Sequence, residues 1–163
     1  MNTTDNGNNR AYILGILNGV FFRSAQALVG SSTVLPLFVA SLTDRNWLIG
    51  LGSIMDIAGW FLPQIFGAYF VLKQAYRLPW YRMMGKVRIA AVGSIALMTL
   101  LLGGGHSAVL LPVFLILEVI YAVAGGLSAV AFLDVVGKSM PAVAHDGRAG
   151  RGSFFGWRIF LGG

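Results

Sequence analysis

Three ionisable residues stand where so apolar a chain should carry none: Arg23, Asp56 and Glu118. They interrupt the apolar runs 11–42, 47–72 and 109–133 in turn. A charge at the centre of a helix in hydrocarbon costs at least about 2.5–3.5 kcal/mol on the insertion scale. A residue kept at that cost needs a partner, water or a proton. Asp56 and Glu118 are each read two ways, as a candidate proton site or as a carboxylate that pins helix packing. Arg23 has three readings: it binds an anionic solute, pairs with a carboxylate of another helix, or snorkels to the inner interface.

Helical geometry gives each of these residues a characteristic face. At 100° per residue, Gly52, Asp56, Gly59, Pro63 and Gly67 fall within about 80° of one another, with Gln64 beside them. Glu118 continues into Ala122, Gly125 and Ala129. Both faces are small enough for another backbone to approach closely. In the first run Gly15, Asn18, Gly19, Arg23, Gln26, Gly30 and Thr33 form a polar and small arc about 140° wide. Gly15 and Gly19 form a GxxxG pair, and Pro36 is expected to bend the helix beyond them.

The elements that position these residues follow from composition. Of 163 residues, 56% are hydrophobic and 11% charged. Soluble domains carry about 25% charged residues, so this chain cannot clothe a water-facing surface. The expected fold is an all-α integral membrane protein, because lipid-exposed backbone must satisfy its own hydrogen bonds. The predicted helices cover about 11–42, 47–72, 85–104, 109–133 and 153–163, after a polar, mobile stretch at 1–10. The core of the third, IAAVGSIALMTLLL, carries no charge and reads as a peripheral, lipid-facing helix. A turn is expected at Gly103–Gly105.

The net charge of +6 is chiefly a topology signal. With the N-terminus inside, segments 1–10, 73–88 and 134–152 hold nine of the 12 Lys and Arg residues. The outer loops 43–46 and 104–108 hold one, Arg45, and Arg23 and Arg158 lie in helices. That asymmetry places the N-terminus in the cytoplasm of a multi-pass cytoplasmic-membrane protein. Tyr76, Trp80 and Tyr81 among the basic residues of 73–88 fit an interfacial belt rather than a nucleic-acid surface. Enzyme chemistry finds little purchase. Cysteine is absent, and His106 and His145 are too few and too far apart for a zinc cluster. The DGRAGRG stretch lacks phosphate-loop spacing. No cofactor is expected.

Several stretches together resemble the N-terminal part of a bacterial major facilitator superfamily transporter. They are YILGILNGVFFR, STVLPLFVASLTDRNWLIGLGS, GWFLPQIFGAYFV, and the passage containing Asp134, Lys138, Pro141, Arg151, Gly152, Gly156 and Arg158. The resemblance implies a fold of about twelve helices in two six-helix halves, of which this chain supplies four and the start of a fifth. It implies that the first and fourth helices line a central path and the third is peripheral. Asn18, Arg23, Gln26 and Glu118 then become path-lining candidates, with Asp56 and Gln64 supporting. Lys73, Arg77, Arg82, Lys86, Arg88, Asp134 and Arg151 become gating or topology residues of the cytoplasmic loops. The family's loop after the second helix contains an Asp-Arg pair, whereas KQAYRLPWYRMMGKVR has no acidic residue.

The implied partners are the lipid bilayer, the remaining helices of the same protein and a small solute. The last 11 residues make only ~16 Å of helix, so the sequence reads as cut inside its fifth span. The alternative is a stand-alone four-helix scaffold or assembly subunit without transport activity.

Because the chain has no cysteine, its orientation can be tested with single introduced thiols. Asp44→Cys and His106→Cys are expected to react with a membrane-impermeant maleimide on intact cells. Lys138→Cys is expected to react only after the cells are opened, and the reverse pattern would invert the topology.

Overall fold

Apolar runs that must satisfy their own backbone groups settle into helices. The computed structural model describes residues 3–28, 34–73, 76–103, 105–140 and 150–162. Every secondary-structure element among the described residues is an α-helix: α1 (Thr3–Leu28), α2 (Val34–Leu42), α3 (Asn46–Lys73), α4 (Arg77–Leu102), α5 (Ser107–Ser139) and α6 (Arg151–Gly162). Among them three are long and apolar enough to cross a membrane: Asn46–Phe70 within α3, α4 and α5. Gly30, Thr33, Pro141, His145 and most of the DGRAGRG stretch lie outside the described residues.

The boundaries bear on four expectations. The helix expected over 11–42 is described in two parts, α1 and α2, and residues 29–33 between them lie outside the described residues. Pro36 lies within α2. Helix α1 starts at Thr3 rather than 11, taking in most of the stretch expected to be mobile. No proline interrupts it, and extending an existing helix gains one hydrogen bond per residue ordered.

The third concerns 73–88, expected to be a loop. Helix α4 already begins at Arg77, and Pro79, its third residue, is tolerated there. Fourth, α5 continues past 133 to Ser139, so Asp134 and Lys138 are helical. At 33 residues it is ~50 Å long, well beyond the ~30 Å of hydrocarbon that a span must cross.

The chain divides into two compact units, 30–132 and the pair of segments 1–29 and 133–163. In the first, Leu35 and Val39 of α2 pack with Phe114 of α5, supported by Phe38, Ile49, Ile95, Leu111 and Leu115. The rings of Phe38 and Phe114 lie 4.6 Å apart. The small face of α3 meets the small face of α5. A Cβ on Gly59 would come 2.7 Å from that of Ala122, and one on Gly126 would collide with the Trp60 carbonyl oxygen. Ile65, Phe66 and Phe70 of α3 remain exposed. The turn between α4 and α5 depends on Gly105, whose φ of 148° disfavours a side chain.

In the second unit α1 and α6 pack through the GxxxG pair. Phe154 is fully buried, and its ring would lie 2.6 Å from a Cβ on Gly15. The Arg158 stem occupies the space over Gly19, and Gly162 abuts Arg23. The Tyr12 and Ser153 hydroxyls are hydrogen-bonded at 3.1 Å. Residues 15 and 19 on one helix and 154, 158 and 162 on the other follow the i, i+4 spacing that aligns one face with another.

Two glycine substitutions test the close packing. Gly126→Val is expected to destabilise the protein by about 1–3 kcal/mol, since the obstacle is backbone and cannot yield. Gly85→Ala meets open space. It should be neutral or stabilising by up to about 1 kcal/mol, from the lower entropy cost of alanine in a helix. Thermal unfolding of both variants in one detergent checks the pair, and an undiminished midpoint for Gly126→Val would show that the α3–α5 contact is unimportant.

Candidate functional site

The chemistry-bearing residues of unit 30–132 converge where α3, α4 and α5 meet. Glu118 lies eleven residues into α5, ~16 Å from its start. It is 1% exposed, and neither carboxylate oxygen accepts a hydrogen bond among the described residues. The charges acting on it come from Asp56 of α3 and Arg88 of α4. Asp56 itself is half-buried. Carboxylates on two helices and a guanidinium on a third therefore share one electrostatic environment.

Arg88 is held by aromatic groups. Its Nη2 donates to the Tyr121 hydroxyl, and its guanidinium carbon stands 4.2 Å from the centroid of the Tyr121 ring. The Trp60 ring lies 5.9 Å away. Both distances fall inside the ~6 Å within which a ring quadrupole attracts a cation. Helical spacing couples the walls to the acids, since Tyr121 is three residues beyond Glu118 and Trp60 four beyond Asp56.

Local backbone chemistry positions the Trp60 wall. Pro63 has no N–H to offer the carbonyl of Gly59. One residue on, the Gln64 Nε2 donates to the Trp60 carbonyl at 2.9 Å. Gly125 leaves room for the Trp60 indole, since a Cβ there would sit 2.6 Å from the ring. On α5 the buried Ser128 hydroxyl donates to the Gly125 carbonyl at 2.8 Å. The outcome is a rigid helix contact beside a buried acid.

The structure sorts the sequence-predicted residues into different roles. Asp56, Gln64 and Glu118 belong to this cluster or its support. Arg88, expected in a cytoplasmic loop, is the eleventh residue beyond the start of α4 and part of the cluster. The uncharged stretch 89–102 of α4 is mostly exposed, at Ile89, Leu97 and Leu100, and Arg88 lies just before it. Asn18, Arg23 and Gln26 are exposed on α1, in the other unit, so the structure does not join them to Glu118 within one unit.

Lys73, in the last turn of α3, places its ammonium 4.0 Å over the Tyr69 ring. Arg77, Arg82 and Lys86 lie on the first half of α4, the last two exposed. Asp134 pairs with Lys138 at 3.0 Å along α5, a contact worth about 0.3–0.5 kcal/mol at a surface.

Arg151 acts as a cap. Its Nε donates to the Met140 carbonyl at 2.9 Å and its Nη2 to the Gly137 carbonyl at 2.8 Å. Those carbonyls are orphaned at the end of α5, and a cation there also opposes the negative end of the helix dipole. Sequence reasoning missed Trp60, Tyr121 and the placement of Arg88. The signals were present in the spacings 56–60 and 118–121, and in Pro79 so near a helix start. No protein-family model, curated protein or solved structure matches this chain.

The cap can be tested directly. Arg151→Met keeps the aliphatic stem but removes both donors, and is expected to cost about 1.5–3 kcal/mol. Amide hydrogen exchange should rise in the last turn of α5 while the 118–128 stretch stays protected. Equal exchange in both variant and parent would show that the carbonyls do not need Arg151.

Proposed function

We propose that this chain is the N-terminal part of a secondary active transporter, similar to the major facilitator superfamily. In this reading it lies in the cytoplasmic membrane with its N-terminus inside and acts by alternating access. It is a carrier and not an enzyme, working within the bilayer with further helices of the same protein and moving a small solute. The observation that carries the proposal is Glu118, buried mid-helix, its oxygens accepting no hydrogen bond among the described residues. A purely structural polar group buried in hydrocarbon is normally hydrogen-bonded. An acid left without such a partner is suited to a cycle in which its partner comes and goes.

Three features support the reading. The basic residues are distributed as in a multi-pass protein with an inner N-terminus. Three helices are long and apolar enough to span a bilayer. The ionisable groups cluster well inside those helices, as they do along ion and substrate paths. In the proposed cycle Glu118 takes up a proton when the path opens to one side and gives it up on the other. Asp56 and Arg88 set the electrostatic cost of each form.

The test is solute-dependent proton movement into proteoliposomes holding the complete protein and a pH-sensitive dye, across a panel of small solutes. Glu118→Gln is expected to reduce the proton flux by at least about tenfold. Unchanged proton flux in that variant would remove Glu118 from the coupling step. Absence of solute movement by the parent would favour the scaffold alternative.

A further inference from the structure

We infer that Trp60, Tyr121, Asp56 and Glu118 form a binding site for an organic monocation of the guanidinium or alkylammonium class, which the side chain of Arg88 occupies in this structure. The inference rests on the transporter reading only in calling the bound cation a substrate; the site itself is argued from geometry.

Four observations converge on it. The Arg88 guanidinium lies over the Tyr121 ring at 4.2 Å and faces the Trp60 ring at 5.9 Å, so two aromatic walls already hold a cation. Tyr121 adds a hydroxyl that accepts from Arg88. Glu118, 1% exposed, presents two carboxylate oxygens that accept no hydrogen bond among the described residues. Asp56, half-buried, stands one helical turn before Trp60 on α3. Aromatic faces beside a carboxylate are the combination that selects organic cations, because the ring quadrupole attracts charge without demanding its full hydration shell. A neutral solute of the same shape gains neither term.

Arg88 is a tethered occupant of the aromatic part of the site. A free cation entering between Trp60 and Tyr121 displaces the guanidinium, as one cation exchanged for another. Self-occupancy lowers the apparent affinity in proportion to the fraction of time the site is vacant. Gly125 makes the place possible, since a side chain there would fill the volume now shared by the Trp60 ring and the Arg88 Nε.

The experiment is calorimetric titration of the complete protein in nanodiscs with n-butylguanidinium, using n-butylurea as the neutral control. The parent is expected to bind the cation and not the urea. Arg88→Met removes the tethered competitor but keeps its stem, and should tighten binding by about tenfold. Arg88→Gln removes the competing charge but keeps an amide donor for the Tyr121 hydroxyl; it should also tighten binding, and serves if the methionine variant does not fold. Glu118→Gln should weaken binding by about tenfold.

Equal binding of the urea would overturn the inference, as would no binding of the cation by any variant. Weaker binding in Arg88→Met, in a protein of parental thermal stability, would make Arg88 part of a different site and equally reject it. Cation binding without solute movement in proteoliposomes would leave the site standing and overturn the transporter reading instead. Solute transport without cation binding would do the reverse.

Discussion

Glu118 can be buried only if the helices around it are arranged to meet the cost of an acid in hydrocarbon. The close approach of α3 to α5 beyond it requires Gly59, Ala122, Gly125 and Gly126 at the contact. Arg88, which α4 carries to the Trp60 and Tyr121 rings, places a positive charge against the same helix pair. Each condition restricts the others. A larger residue at 126 would separate the backbones, and a displaced Trp60 would remove a wall from the Arg88 cage. The cluster therefore depends less on any single strong bond than on three helices meeting in one register.

Arg88 shows how a cation is accommodated in such a setting. A guanidinium is planar, weakly hydrated for a cation, and stacks on aromatic faces. Tyr121 supplies both a face and an acceptor, and Trp60 supplies a second face. The arrangement keeps Arg88 close enough to act on Glu118 while the Glu118 oxygens accept no hydrogen bond. A polar cluster with one member still unsatisfied is costly to stability, and such a cost is commonest where a protein binds or moves something.

The other unit uses glycine for a different purpose. Gly15 and Gly19 receive Phe154 and Arg158, and Gly162 returns the favour against Arg23. Here the close approach buries one aromatic ring and packs the stem of one arginine. Arg151 meanwhile satisfies the end of α5 across the connection to α6. The same stripe of small residues thus serves ordinary helix packing in one place and shelters a chemical group in another. The stripe does not distinguish the two; the neighbours do.

Helix content, the apolar spans and the small-residue faces were legible in the sequence, because they depend on local periodicity and on a backbone that hydrocarbon forces to pair with itself. Asp56 and Glu118 were legible for the same reason, as charges inside apolar runs. The start of α4 was obscured because Lys73–Arg88 is basic and contains a proline, and both look like a loop until Pro79 is seen to occupy a first turn. Above all, the partnership of Trp60, Arg88 and Tyr121 required three helices to be placed against one another. Sequence periodicity determines which residues share a face, but only tertiary packing determines which face meets which, and an electrostatic site is made by that meeting.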